Sequence, residues 1–107
     1  MTDRGARVLI VDDHAVVREG IRALIEREPG MVVVGEAGSV AEAIRRADET
    51  GPTLVVLDLR LPDGSGIEAC RDIRAKHPDA QVLILTSFGE DDAVMAAVMA
   101  GASGFLL

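Results

Sequence analysis

Five short apolar segments recur along the chain, at residues 8–11, 31–34, 54–57, 82–85 and 105–107. Each is hydrophobic without interruption and does not alternate with polar residues. A strand that is covered on both faces needs apolar side chains on both sides, so such segments are typical of a buried parallel sheet. The pattern therefore predicts five strands.

The stretches between these segments carry apolar residues at helical spacing. The positions are Val17, Ile21 and Leu24; Val40, Ala43, Ile44 and Ala47; a weaker set of Ile67, Cys70 and Ile73; and Val94, Ala97, Val98 and Gly101. Ser39, followed three residues later by Glu42, predicts a capping box at the start of the second helix. The first three helices are predicted to end at Pro29-Gly30, Gly51-Pro52 and His77-Pro78.

Alternating strands and helices predict an α/β fold, a doubly wound parallel sheet with right-handed crossovers and helices on both faces. We expect the flavodoxin-like strand order 2-1-3-4-5, which places the first and third strands side by side. The 107 residues suit one domain. Since the sequence stops inside the predicted fifth strand, we expect residues 1–107 to form a domain that is incomplete at its C-terminus.

Three carboxylates follow predicted strands directly. Asp12 and Asp13 come after the first strand, and Asp58 ends the third. If these strands are neighbours, the three side chains converge in one crevice beyond the sheet. Two unit charges ~4 Å apart repel by ~4 kcal/mol at an effective dielectric constant of about 20. Such a cluster calls for a cation, and carboxylate oxygens are ligands that suit Mg²⁺.

Other interpretations of the same residues stay open. Asp12 or Asp13 by itself can serve as a helix cap, and Asp58 can start a turn; only the three together favour the metal site. Thr86 ends the fourth predicted strand and offers a hydroxyl at the same crevice, although a turn cap explains it equally well. His14 is also next to the aspartates, but a solvated residue in the first helical turn is the favoured interpretation.

Composition excludes several classes of partner. The net charge of −7 speaks against binding a nucleic-acid backbone, and the absence of Trp and Tyr leaves little surface for base stacking. Cys70 is the single cysteine, which excludes an internal disulfide. No apolar run approaches the ~20 residues of a membrane span, and the first residues, MTDRGAR, lack the apolar region of a signal peptide. We expect a soluble cytoplasmic protein with no membrane partner.

Four motifs resemble the receiver domain of bacterial two-component response regulators. They are VLIVDDH at residues 8–14, VLDLRLPDGSG at 56–66, LILTS at 83–87 and AGASGF at 100–105. The resemblance covers essentially the whole chain, and the motifs occur in the family's order and spacing. Residues 35–43 and 66–72 are similar to the NarL/FixJ group and, within it, to regulators of the DevR/DosR type.

The resemblance implies a signalling domain, not an enzyme, in which Asp58 accepts a phosphoryl group from a sensor histidine kinase. It implies that Mg²⁺ is bound by Asp13, by Asp58 and by the backbone carbonyl of Arg60, while Asp12 helps through water. No organic cofactor is implied.

The resemblance also implies a switch and an output. Thr86 would be the switch hydroxyl and Phe105 the switch aromatic, and activation would favour a homodimer. DNA would be bound only by a helix-turn-helix output domain, which controls transcription and is absent from this chain. In this family a lysine at the end of the fifth strand contacts the phosphoryl group. By the family's pattern, that lysine would directly follow Leu107. A receiver-like interaction or dimerisation module that phosphorylation does not switch is the alternative.

Two further function classes fit the residues less well. A haloacid-dehalogenase-type phosphatase needs a second acid two residues after its nucleophile, and Arg60 stands there. A flavin- or nucleotide-binding module needs a glycine- and hydroxyl-rich loop after the first strand, where Asp12 and Asp13 would repel the phosphate. The G-x-G-x-x-A match at residues 64–69 follows an acidic, proline-containing loop, so we interpret its glycines as turn residues.

Overall fold

The computed structural model describes residues 5–85 and the backbone of residues 104–106. Within this part of the chain, one sheet contains β1 (Ala6–Val11), β2 (Met31–Ala37), β3 (Leu54–Asp58), β6 (Gln81–Leu85) and β7 (Gly104–Leu106). A separate antiparallel pair contains β4 (Arg60–Leu61) and β5 (Gly64–Ser65). The described helices are α1 (Ala15–Glu26), α2 (Val40–Thr50) and α3 (Gly66–Lys76).

The main sheet has the strand order β2-β1-β3-β6-β7, and each of its neighbouring pairs is parallel. β6 and β7 are the fourth and fifth strands of the sequence prediction, so the predicted flavodoxin-like order 2-1-3-4-5 is confirmed. The register places Val11 of β1 beside Leu57 of β3. As a result, the residues that follow β1 lie next to the last residue of β3.

Helices cover both faces of the sheet, as predicted for a doubly wound fold. The residues buried between the sheet and α2 or α3 include Leu9, Val11, Val55, Leu57, Val82 and Ile84 from the strands and Ala43, Ala47, Cys70 and Ile73 from the helices. The other face buries Val8, Ile10 and Val56 together with Ile25 of α1. Each fully buried Val, Leu or Ile contributes roughly 1.5–3 kcal/mol, so these two layers hold the strand ends in place.

The orientation of α1 differs from the sequence prediction. Val17 and Leu24 are 42% and 63% exposed, whereas Ile25 is buried and Ile21 packs beside it. Because each residue advances about 100° around a helix, Val17 and Leu24 lie on one side of Ile21 and Ile25 lies on the other. The helix is rolled toward the Ile25 side. The predicted apolar stripe was therefore right only at Ile21.

The N-terminus of α2 forms only half of the predicted capping box. The Ser39 hydroxyl accepts a hydrogen bond from the backbone N–H of Glu42 at 3.1 Å. The Glu42 carboxylate, however, accepts from the N–H of Gly38 at 2.7 Å and not from Ser39. At the other end, Gly51 caps the helix in the left-handed conformation, with φ of 58°, which confirms the predicted stop at Gly51-Pro52.

A complete capping box opens α3, where the sequence also carries the Ser-x-x-Glu signal. The Ser65 hydroxyl accepts from the N–H of Ile67 at 3.0 Å, and Glu68 accepts from the N–H of Ser65 at 3.0 Å. We expect Ser65→Ala to lower the free energy of unfolding by about 1 kcal/mol, because the first turn loses its acceptor. Urea denaturation measures this, with Ser65→Thr as the hydroxyl-retaining control. Equal midpoints for Ser65→Ala and the wild type would contradict the prediction.

Among residues 5–85 and 104–106, no helix combines the length and apolar character that crossing a bilayer requires.

Candidate functional site

Four side chains meet beyond the ends of β1 and β3. One ligand atom from each of Asp12, Asp13, His14 and Asp58 lies within 4.8 Å of the others. The three aspartates are those that the sequence predicted to converge, and they meet because β1 and β3 are neighbours in register. We call this group of four residues the acidic crevice.

Asp12 is the buried member of the acidic crevice, with 8% of its surface exposed. Its N–H donates to the carbonyl of Ala37 at 3.0 Å, which extends the β1–β2 pairing by one residue. Its carboxylate accepts from the backbone N–H of His14 at 2.8 Å. His14 is the N-cap residue of α1 and makes no side-chain capping bond. Asp12 thus shapes the loop before the helix and does not cap the helix itself.

His14 lies at the rim of the crevice, with 68% of its side chain exposed. Its Nδ1 is 3.0 Å from an oxygen of Asp12 and 3.0 Å from an oxygen of Asp13. The hydrogen bond to Asp12 and the charge of Asp13 raise the pKa of His14. The predicted exposure to solvent is confirmed, but His14 is the N-cap of α1 and not a residue of its first turn. The contacts with both aspartates were not predicted.

Asp58 ends β3 and is partly buried. Burial raises the pKa of its carboxyl group, the backbone N–H of Arg60 opposes this, and the charges of Asp12 and Asp13 raise it further. The Arg60 N–H lies 3.4 Å from Oδ1 of Asp58. Because the charged form of Asp58 is costly among like charges, a nearby cation would stabilise it. This is the electrostatic property expected of a cation site.

The loop after Asp58 is held by contacts that the sequence analysis missed. β4 and β5 pair as a small hairpin, and the carboxylate of Asp63 at its turn accepts from the N–H groups of Val40 at 2.7 Å and Ala41 at 3.1 Å. These two bonds hold the pKa of Asp63 below its usual range. They tie the loop to the first turn of α2, more than 20 residues away. Because the partners are so far apart in the sequence, no local pattern predicts these bonds.

The remaining predicted site residues are placed only in part. Arg60 lies two residues beyond Asp58, in β4. Thr86 lies outside the described residues, and for Phe105 the description covers only its backbone in β7. The switch roles of Thr86 and Phe105 therefore stay predictions.

The acidic crevice fits a hard divalent cation. Mg²⁺ and Ca²⁺ bind oxygen ligands at about 2.0–2.6 Å, so oxygens on opposite sides of one ion lie roughly 4–5 Å apart. The ligand atoms of the crevice fall within such a span. Three carboxylates supply the hard oxygen donors that these ions prefer over softer ligands. The donor set and its spacing therefore agree with the predicted metal site.

Comparisons with known proteins agree on one family. The family model described as the response regulator receiver domain matches residues 8–107. The DNA-binding transcriptional activator DevR/DosR of Mycobacterium tuberculosis is 52% identical over 101 residues, which are 94% of this chain and 46% of that protein. The chain thus spans about half the length of the curated relatives it matches.

Solved structures show the same similarity. A two-component response regulator of the LuxR family from Aurantimonas sp. SI85-9A1 superimposes with a TM-score of 0.89 at 50% identity, covering 94% of this chain and 72% of that one. A response regulator from Burkholderia pseudomallei, crystallised with a phosphorylated aspartic acid, a calcium ion and citrate, has a TM-score of 0.85 at 27% identity, covering 94% and 58%.

Proposed function

This chain belongs to the response regulator receiver domain family, and from that premise we propose that Asp58 is its phosphoryl acceptor. The observation that carries the proposal is the position of Asp58, at the end of β3 and in one crevice with Asp12 and Asp13. The Burkholderia relative supports it, because that protein holds both a phosphorylated aspartic acid and a calcium ion.

In this proposal Mg²⁺ is held by Asp13, Asp58 and the backbone carbonyl of Arg60, and Asp12 contributes through water. Mg²⁺ bound there would neutralise charge on the phosphoryl group during transfer. The raised pKa of Asp58 supports this assignment, since burial and the charges of Asp12 and Asp13 disfavour its carboxylate and a bound cation would offset that cost.

The phosphoryl transfer forms one covalent bond to the protein and breaks one bond in the donor. An oxygen of Asp58 forms a bond to phosphorus while the bond from phosphorus to the donor breaks, and the donor keeps that electron pair. We propose a phosphohistidine of a sensor kinase as the donor. Its ring leaves as a neutral imidazole when the ring nitrogen that is not bonded to phosphorus already carries a proton. Asp58 is held in place as the last residue of β3, and the N–H of Arg60 orients one of its oxygens. The rate of the reaction then depends mainly on how the reacting groups are positioned.

We infer the effect of phosphorylation from the longer proteins of this family. We propose that Thr86 and Phe105 form the switch that reports phosphorylation, and that the activated domain forms a homodimer. DNA would be bound only by an output domain beyond this chain, as expected from relatives named as DNA-binding or transcriptional regulators. Cytoplasmic localisation belongs to the same proposal.

Acetyl phosphate or beryllofluoride with Mg²⁺ tests the acceptor directly. Intact mass after acetyl phosphate should show one phosphoryl group on the wild-type chain and none on Asp58→Asn. NMR should show shifts around the acidic crevice on adding beryllofluoride to the wild type alone. Asp72→Asn is the matched control, since it makes the same chemical change at an exposed position of α3; it should behave like the wild type.

Either of two outcomes would overturn the proposal. A wild-type chain that takes up no phosphoryl group and shows no beryllofluoride shifts would favour the alternative, an interaction module that phosphorylation does not switch. Phosphorylation that persists in Asp58→Asn would place the acceptor at another residue.

A further inference from the structure

Arg18 lies in the first turn of α1 and bridges the ends of the two strands beside it. Its Nη1 donates to the carbonyl oxygen of Asp12 at 2.5 Å, and its Nε donates to Oε1 of Glu36 at 2.9 Å. Only 22% of the side chain is exposed. The guanidinium therefore joins the loop that follows β1 to the end of β2.

Both backbone polar groups of Asp12 are held by hydrogen bonds, and Arg18 provides the second of these bonds. The N–H of Asp12 already donates to the carbonyl of Ala37 at 3.0 Å. The carbonyl that Arg18 holds belongs to the peptide unit between Asp12 and Asp13. If this unit rotated, the two carboxylates would point in different directions, so Arg18 fixes how two members of the acidic crevice face each other.

Glu36 determines where the guanidinium of Arg18 points. Its second oxygen, Oε2, accepts from Nε of Arg22 at 2.7 Å. Burial works to raise the pKa of Glu36, but the hydrogen bonds from Arg22 and Arg18 outweigh it and hold the pKa below its ordinary value. Because a guanidinium is a rigid planar fork, fixing Nε of Arg18 on Glu36 also fixes the direction of Nη1.

We propose that Arg18 is a positioning residue for the acidic crevice, which raises the crevice's affinity for Mg²⁺ by holding the Asp12 carbonyl. The inference rests on the proposed function, and it assigns a role to a residue that is not one of the metal ligands. Arg18 acts through Asp12 and Asp13. Groups that orient metal ligands in this way typically change metal affinity by 10–100-fold.

The sign of the effect separates positioning from simple electrostatics. Arg18 carries a positive charge near the crevice, so its removal would by Coulomb's law alone strengthen the binding of a cation. Loss of positioning would instead weaken the binding of Mg²⁺. Arg22 offers a matched comparison, since it lies on the same helix and pairs with the same glutamate. The guanidinium of Arg22 donates to Glu36 and Glu26.

Mg²⁺ titration of the 107-residue chain, followed by NMR or calorimetry, tests the proposal. We expect Arg18→Met to weaken Mg²⁺ binding about tenfold and Arg22→Met to leave it unchanged or slightly stronger. Arg18→Lys should fall between Arg18→Met and the wild type, because one ammonium group cannot serve the carbonyl and the glutamate together. Thermal unfolding of each variant without metal reports the structural cost separately.

Each remaining outcome counts against the proposal. Wild-type affinity in Arg18→Met, whatever its thermal midpoint, would reduce Arg18 to a structural residue. Equal weakening in Arg22→Met would assign the effect to the Glu36 ion pairs. If Arg18→Met does not fold, Arg18→Lys compared with Arg22→Lys decides, and equal affinities overturn the proposal. A wild-type chain that binds no Mg²⁺ would instead overturn the proposed function, and this inference with it.

Discussion

Gly66→Ala is expected to lower the free energy of unfolding by about 2–3 kcal/mol, the upper part of the range of roughly 1–3 kcal/mol found when a packed interior receives an extra carbon. A Cβ at this position would overlap the carbonyl oxygen of Asp58 and lie 3.0 Å from its carbonyl carbon and 3.1 Å from Cα of Leu59. These are backbone atoms, so no side chain can rotate away. The N–H of Gly66 also donates to the carbonyl of Leu59 at 2.7 Å, which holds the two segments together.

The same substitution should disturb the acceptor. The backbone that Gly66→Ala pushes on belongs to Asp58 itself, so relief of the overlap must move the end of β3 or the start of α3. We therefore expect weaker Mg²⁺ binding and slower phosphorylation by acetyl phosphate, measured at a temperature where the variant is folded. Thermal unfolding should show a midpoint lower by roughly 10–20 °C.

Gly20→Ala provides the control with the opposite sign. Gly20 is inside α1, and a Cβ there would meet no atom within 4 Å. Replacing a helix-interior glycine by alanine should stabilise the protein by about 0.5–1 kcal/mol. If Gly66→Ala shifted the urea midpoint in the same direction as Gly20→Ala, and phosphorylation were unaffected, the close approach of Gly66 to Asp58 would not be a constraint.

The arrangement of the main sheet could be predicted because each strand carries a strong local signal. Uninterrupted apolar segments, such as residues 54–57, marked buried strands, and the alternation with helices left few possible topologies. Asp12, Asp13 and Asp58 were then placed by the strand order alone, since parallel neighbours end at the same edge of the sheet. The acidic crevice was thus accessible from the sequence.

Other features depend on contacts between distant residues and could not be predicted. The β4–β5 hairpin has strands of two residues, too short for a hydrophobic pattern. Asp63 caps α2 and Arg18 pairs with Glu36 across 18 or more residues of sequence. The roll of α1 toward Ile25 is set by packing on the sheet, since periodicity alone does not choose between adjacent faces. Ser65 with Glu68 is different, because its capping signal was present in the sequence.

Asp58→Asn is expected to stabilise the metal-free protein by about 1–2 kcal/mol at pH 7.5. Charges as close as the ligand atoms of the crevice, within 4.8 Å, repel by about 3–4 kcal/mol at an effective dielectric constant of about 20. Water in the open crevice screens part of this. The amide of asparagine keeps the shape and an acceptor for the N–H of Arg60 but carries no charge. Chemical denaturation without divalent cations measures the difference.

The pH dependence follows from the raised pKa of Asp58. The folded state binds the proton of Asp58 more tightly than the unfolded state, so the contribution of Asp58 to the stability of the wild type falls as pH rises from the ordinary pKa of 3.8 through the raised one. The penalty is absent below the ordinary pKa and complete above the raised one. The advantage of Asp58→Asn should therefore shrink as the pH is lowered toward 4. Asp72→Asn, the same chemical change at an exposed position of α3, is measured alongside as the control.

Mg²⁺ should reverse the order of stability at pH 7.5. A cation that binds only the folded state adds about 1.4 kcal/mol at ten times its dissociation constant, and more at higher excess. The wild type would gain this stabilisation, whereas Asp58→Asn would gain much less because a ligand and its charge are gone. Equal stability of the two proteins without Mg²⁺ would show that the carboxylates of the crevice do not strain the fold. Equal gains with Mg²⁺ would show that Asp58 is not a ligand, which would separate the metal site from the residue proposed to accept the phosphoryl group.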